Sequence, residues 1–385
     1  MSSTLTETIA PALETLRLRQ AEPTTTPKEE ATAAEAKDES GYPYARFLPH
    51  FDNTVKYPPL TDFEHHDPGL EALKHAEPRA FLNNATVSDL TPRFGAEVSG
   101  IQLHKLSATE KQQLALYVAQ RGVVAFRDQD FQDQSPEWML QDWGSFFGRL
   151  HIHPTSGHPK GYPEFHLVYR DAGKTFNYEF SDRFTSSVWH SDVTYEKQPP
   201  GLTTLWLFDS PSSGGDTAYV NQVEAYNRLS PSFRAYLETL EVVHSGVEQA
   251  EYSRRGNRGG TVRREPIETV HPLVSYLVPS VKQSQRDVRT HPVTGAKALY
   301  VNKQFSRRIV GLKQEESDAI LNLFNHIALG VDFQVRVKWA PRTVVLWDNR
   351  ITAHSAIVDF DSAQDGRRHG SRITPQAERP FLKRD

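Results

Sequence analysis

Apolar positions recur with a period of two over most of the patterned stretches of this chain, and with a helical period over only a few. Phe94-Gly-Ala-Glu-Val-Ser-Gly-Ile-Gln-Leu103 alternates like a strand punctuated by turn glycines. Ser107 and Glu110 form a capping-box pattern ahead of Leu114, Tyr117 and Val118, which predicts a helix ending near Gly122. Residues 123–126 are wholly apolar and read as a short buried strand. Ser135 and Pro136 open a second helix that runs through Trp138 and Trp143 towards Phe147. Beyond Pro199-Pro200, 202–208 is an apolar strand, 211–217 a turn, 218–220 a further strand, and 224–229 and 231–240 short helices. A turn at 292–295 leads into a strand at 298–301, and 315–327 has helical spacing. Residues 333–339 alternate strictly, and 343–347 form the strand that leads to His354. Many short strands with a few outlying helices predict a mainly β, α+β domain. Its core is a double-stranded β-helix (jelly roll, cupin-like) flanked by helices, an architecture in which strands from opposite ends of the chain meet.

Composition changes this picture mainly at the N-terminus. Only 37% of the 385 residues are hydrophobic and the mean hydropathy is −0.58, in part because residues 1–40 are rich in Thr, Glu, Ala and Lys and read as a disordered tail. Residues 41–88 combine prolines, which forbid long regular elements, with aromatics that need burial, and predict an irregular arm packed on the core. The remaining 89–385 form the jelly-roll domain. The formal charge of −4 gives no bulk field for nucleic acid or membrane partners. With no cysteine, disulfides, iron–sulfur clusters and thiolate metal sites are excluded. No apolar run approaches a transmembrane span, and the first residues have neither the basic nor the apolar region of a secretory signal. The expectation is a cytoplasmic protein, with a dimer or tetramer compatible with this composition.

The candidate chemistry sits in Trp189-His190-Ser191-Asp192-Val193-Thr194-Tyr195. His190 and Asp192 are two apart, so on an extended strand both side chains share a face. A second imidazole, His354, follows the core strand at 343–347. Two histidines and a carboxylate make the facial triad that holds Fe(II) and leaves the opposite positions open. A chance His-x-Asp among 16 histidines is the alternative, but this pair lies between apolar and aromatic residues, where a lone carboxylate needs a cation or strong donors. Arg367, Arg368 and Arg372 follow closely, as a site for carboxylate or other anions or as a solvated basic tail. The basic, glycine-rich 253–266 and the region 155–186 read as candidate lids or as ordinary variable loops.

Taken together, several stretches resemble the taurine dioxygenase family of Fe(II)/2-oxoglutarate-dependent oxygenases. They are Gly122-Val-Val-Ala-Phe-Arg-Asp-Gln129, Phe147-Gly-Arg-Leu-His-Ile-His-Pro154, His190-Ser-Asp192, Ser213-Gly-Gly-Asp-Thr217, Arg289-Thr-His-Pro-Val-Thr-Gly295, Trp347-Asp-Asn-Arg-Ile-Thr-Ala-His354 and Arg367-Arg368…Arg372. The resemblance runs collinearly from about Leu90 to Pro380. It implies His190, Asp192 and His354 as iron ligands, and Thr217 and Arg368 as contacts to the distal carboxylate of 2-oxoglutarate. It implies Arg372 and His153 as contacts to the substrate. It also implies O2 as cosubstrate, hydroxylation of a small anionic substrate coupled to succinate formation, and, on a sulfonate, release of an aldehyde and sulfite. Two substrate positions depart from the family pattern, with Ser156 where a tyrosine and Ser186 where an asparagine is usual, so taurine itself does not follow. An alkyl sulfate, an aryloxyalkanoate, an amino acid or a specialised metabolite would use the same iron site. A non-catalytic cupin-like binding protein and a zinc hydrolase are the readings from other classes.

Overall fold

In the computed structural model, residues 41–171, 189–257, 260–275 and 293–380 are described. The 1–40 tail, Ser186 and the 172–186 part of the candidate lid 155–186 lie outside them; the described part of that stretch contains a strand of the main sheet, His166–Arg170.

Ten strands carry the site. They are β1 (Thr86–Asp89), β2 (Ala96–Ser99), β3 (Val123–Phe126), β4 (His166–Arg170), β5 (Leu202–Asp209), β6 (Thr217–Asn221), β7 (Gln334–Val337), β8 (Val344–Asp348), β9 (Thr352–Ala356) and β10 (Arg368–Ile373). The larger sheet runs β1-β2-β3-β8-β5-β10-β4, the smaller β7-β6-β9. Only the β2–β3 pairing is parallel among these, so neighbours come from opposite ends of the chain, as in a jelly roll.

Alternation along the strands builds the core in two layers. Val123, Ala125, Leu205, Leu207, Val345 and Trp347 of the larger sheet pack with Tyr219, Val335 and Val337 of the smaller one. The intervening residues Val124, Phe126, Trp206 and Leu346 turn the other way, against Leu114, Tyr117 and Val118 of helix α1 (Ala108–Arg121). Helix α1 starts at a complete Ser107–Glu110 capping box and stops at Gly122, whose φ of 74° is left-handed. Helix α2 (Gln314–Ala328) covers a second cluster with Leu321 and Phe324 against Val242 and Leu273.

The structure departs from the hydrophobic pattern in several places. The sheet begins at β1, four exposed residues on an edge within the stretch expected to be arm; an edge strand with both faces wet shows no alternation. The helix opened by Pro136 contains a π turn over Met139–Gly144. β10 is buried along its whole length despite its basic sequence. The 253–266 stretch is no surface lid at its C-terminal end, because Thr261 to Arg264 are buried. No helix among the described residues is long and apolar enough to cross a membrane.

Candidate active site

His190 does not lie on a regular strand. It makes an isolated antiparallel bridge to His354 of β9, with His190 N donating to His354 O at 3.0 Å and His354 N to His190 O at 2.7 Å. Directly opposed residues of an antiparallel pair share a face, and the two ring centroids are 4.3 Å apart. The chain then leaves the extended conformation at once. Ser191 Oγ donates to Thr352 O at 2.7 Å. Asn349, in the β8–β9 turn, accepts from Asp192 N at 2.7 Å and donates to Asp192 O at 3.1 Å. Val193 has a φ of 39°, an outlier for a β-branched residue that costs roughly 1–3 kcal/mol. The same-face expectation for His190 and Asp192 is therefore met by a bridge and a pinned turn, where a strand was expected.

This backbone gathers three donor atoms. Asp192 Oδ1 lies 3.5 Å from His190 Nε2 and 3.6 Å from His354 Nε2, and the ligand atoms of the three residues all fall within 4.8 Å of one another. Asp192 and His354 are buried, and Asp192 Oδ2 and His354 Nδ1 have no hydrogen-bond partner among the described residues. Burial pushes the Asp192 carboxyl up, but Arg372, His354 and His190 outweigh it and hold it below the usual carboxylate range. Burial, reinforced by His190 and opposed by Asp192, keeps the His354 imidazole neutral well below its ordinary titration range, the form in which it ligates a metal. The positive group this cluster holds is Arg372, whose Nη1 is 2.8 Å from Asp192 Oδ1 and 3.4 Å from His354 Nε2. A nitrogen and oxygen donor set with an ionised carboxylate, already attracting a cation, fits a ferrous ion.

The opposite wall is β10, whose period of two puts Arg368, Gly370 and Arg372 on one face. The register to β5 shifts between His369 and Gly370, where Phe208 of β5 is the extra residue, and a Cβ on Gly370 would lie 2.6 Å from the backbone oxygen of Trp206, so only glycine fits there. Arg368 Nε donates to Gly215 O at 3.2 Å and Nη2 to Thr217 Oγ1 at 3.5 Å. Trp339 Nε1 donates to the same Thr217 oxygen at 3.1 Å. Arg372 Nη2 donates to His166 Nδ1 at 2.7 Å, and the other ring nitrogen of His166 is 2.9 Å from Ser156 Oγ. His153 Nδ1 accepts from the backbone N–H groups of Thr155 and Ser156 at 3.2 and 3.1 Å, which places the ring's N–H on Nε2.

His153, Ser156, His190, Asp192, Thr217, His354, Arg368 and Arg372 all line one cavity of about 160 Å³. One water needs about 10–15 Å³ on a comparable measure, so several small molecules fit together. Of the residues expected at the site, only Ser186 is outside the described structure. The sequence reading missed Asn349, His166, Trp339 and the pocket residue Phe51 from the arm; none lies in a spacing pattern that marks it.

A family model described as "Taurine catabolism dioxygenase TauD, TfdA family" matches residues 86–374. The chain belongs to this family. Its members are 2-oxoglutarate-dependent dioxygenases that use Fe(II) and O2, and this enzyme has the same cofactors. An alpha-ketoglutarate-dependent sulfonate dioxygenase of Saccharomyces cerevisiae is 45% identical over 89% of this chain and 80% of its own length. The alpha-ketoglutarate-dependent dioxygenase cnsP of Penicillium expansum is 39% identical, covering 93% of both chains. The crystal structure of a taurine dioxygenase from Burkholderia xenovorans superposes with a TM-score of 0.59 at 30% identity, covering 77% of this chain and 91% of that one.

Proposed function

We propose that this dioxygenase hydroxylates a small organic anion whose class is the aliphatic sulfonates. His190, Asp192 and His354 bind the ferrous ion, Thr217 and Arg368 take 2-oxoglutarate, and Arg372 and His153 take the substrate. One observation carries the reading: three metal donors within 4.8 Å of one another face two buried arginines projecting from the opposite sheet. The name of the yeast relative supports the sulfonate class. When bound, the ferrous ion and 2-oxoglutarate activate O2, which inserts one oxygen atom into a substrate C–H bond while 2-oxoglutarate leaves as succinate and CO2.

The rest is the work of this chain's residues. Thr217 Oγ1 already accepts from Trp339 and Arg368, so its own proton is the one left to donate to the distal carboxylate of 2-oxoglutarate. Arg368 supplies the matching charge and a planar fork for that carboxylate. Arg372, which lines the same cavity, supplies the guanidinium for the substrate's anionic head. His153 adds an N–H donor beside that head. Ser156 is engaged with His166, so it acts by orienting the imidazole that supports Arg372. Hydroxylation at the carbon bearing the sulfonate gives a product that breaks its C–S bond to an aldehyde and sulfite. A cytoplasmic location belongs to the same reading, since no cysteine is available for the disulfides that oxidising compartments favour.

The test is a panel of sulfonates, alkyl sulfates, aryloxyalkanoates and amino acids, scored for both succinate and sulfite. A sulfonate that yields the two in equal amounts is the expected result. Succinate coupled only to a sulfate or a carboxylate, or to no substrate, overturns the sulfonate assignment.

A further inference from the structure

The arm reaches the active-site cavity. Pro49 and Phe51 line it, on the same cavity as Arg372. Their position is fixed by backbone pairing: His50 N donates to His158 O at 2.8 Å, and His158 N to His50 O at 3.3 Å. The Phe51 ring lies flat on Gly157, where an added Cβ would come within 2.6–3.2 Å of three of its ring carbons. Further along, Tyr57 N donates to Arg263 O at 2.7 Å and Arg264 Nε to Pro58 O at 3.1 Å. Buried Arg263 in turn donates from its backbone to Pro154 O at 2.8 Å and from Nη2 to His153 O at 2.9 Å. The arm is thus tied, through 261–264, to the segment that carries His153 and Ser156.

The cavity is chemically mixed. Arg372 and the imidazoles line it together with the apolar side chains of Pro49, Phe51 and Phe305. An anion held at Arg372 therefore lays the rest of its skeleton along hydrocarbon and aromatic surface. We infer that the N-terminal arm is a working part of the active site, and that Phe51 is a specificity-determining residue for the apolar body of the substrate. The enzyme then favours sulfonates with an extended alkyl chain over short or ammonium-bearing ones such as taurine. This rests on the sulfonate reading above.

The experiment measures kcat/KM for sulfite release from n-alkanesulfonates of two to six carbons and from taurine, in the full-length wild-type enzyme, Phe51→Ala, Phe51→Leu and Phe51→Trp. Each methylene buried against the wall raises kcat/KM about fourfold in the wild type. Phe51→Ala lowers the hexanesulfonate-to-ethanesulfonate ratio about tenfold, Phe51→Leu restores most of it, and Phe51→Trp moves the optimum to shorter chains. If the alanine variant does not fold, the leucine and tryptophan variants decide by the position of that optimum. Sulfite release with a flat chain-length profile, or an optimum unmoved in every folded variant, contradicts the role of Phe51 alone. A wild-type enzyme that releases sulfite from no sulfonate contradicts the sulfonate reading, and this inference with it.

Discussion

Arg350 and Arg372 are both buried arginines bonded to buried aspartates, yet their surroundings are opposite in kind. Arg350 holds Asp348 with two bonds of 2.8 and 2.6 Å, and its Nη1 reaches Asp67 at 2.6 Å and Glu378 at 3.1 Å. Burial pushes this guanidinium down, but three carboxylates outweigh it and raise it well above its ordinary value. Every guanidinium nitrogen is used. The cluster joins the arm, the β8–β9 turn and the C-terminal segment. Among the described residues, Arg372 meets one carboxylate and a set of imidazoles, and Arg372 Nε, Asp192 Oδ2 and His354 Nδ1 have no partner there. A closed cluster of charges binds segments together; an open one keeps bonding capacity for something that arrives later.

That contrast predicts which property each cluster controls. Asp192→Ala lowers coupled turnover by about 10³-fold or more, since a metal contributes several kcal/mol of charge stabilisation, and shifts Tm less than Arg350→Ala does. Arg350→Ala leaves Asp348 and Asp67 buried without their cation and lowers unfolding free energy by roughly 3–5 kcal/mol, measured by denaturant titration. Iron bound by the folded protein stays at wild-type level; iron lost in step with stability would break the comparison.

Acid sharpens it from another side. His271 is buried behind the Asp192 turn, bonded to Glu196 O at 3.0 Å, and burial pushes its imidazole down to about 4. Below pH about 6.5 the unfolded chain takes up a proton that the folded one does not, so stability falls between pH 6.5 and 4 and levels off below. The loss from this group is about 3 kcal/mol, and His271→Gln flattens that part of the pH profile. A smaller effect follows at the cosubstrate. Arg368→Ala removes a charged hydrogen-bonding partner and raises the 2-oxoglutarate KM about 10–150-fold. Trp339→Phe, which removes only the donor that orients Thr217, raises it about fivefold. An unchanged KM in either variant would detach that residue from the cosubstrate.

Much of the scaffold was legible because its positions are hydrophobic. β3, β5 and β8 are buried on both faces and read as apolar runs, and α1 announces both its ends. β10 was not legible as a strand: its site face carries arginines and its other face His369 and Ser371, so no apolar alternation marks it. The three metal donors could be proposed from residue types and order, but the turn that brings Asp192 under the imidazoles depends on Asn349. A single asparagine in a loop carries no spacing signal. Arg263 misled in the other direction. Within a basic, glycine-rich stretch it reads as solvated, yet it is only 1% exposed and donates to the backbone carbonyl of His153.

The central claim is that His190, Asp192 and His354 together hold one ferrous ion. Its most direct test is to count the iron retained per chain, under anaerobic conditions with 2-oxoglutarate, in the wild-type enzyme and in His354→Ala. One iron per wild-type chain and well under one in a folded His354→Ala protein is the predicted result. A folded variant that keeps its full complement of iron would contradict it.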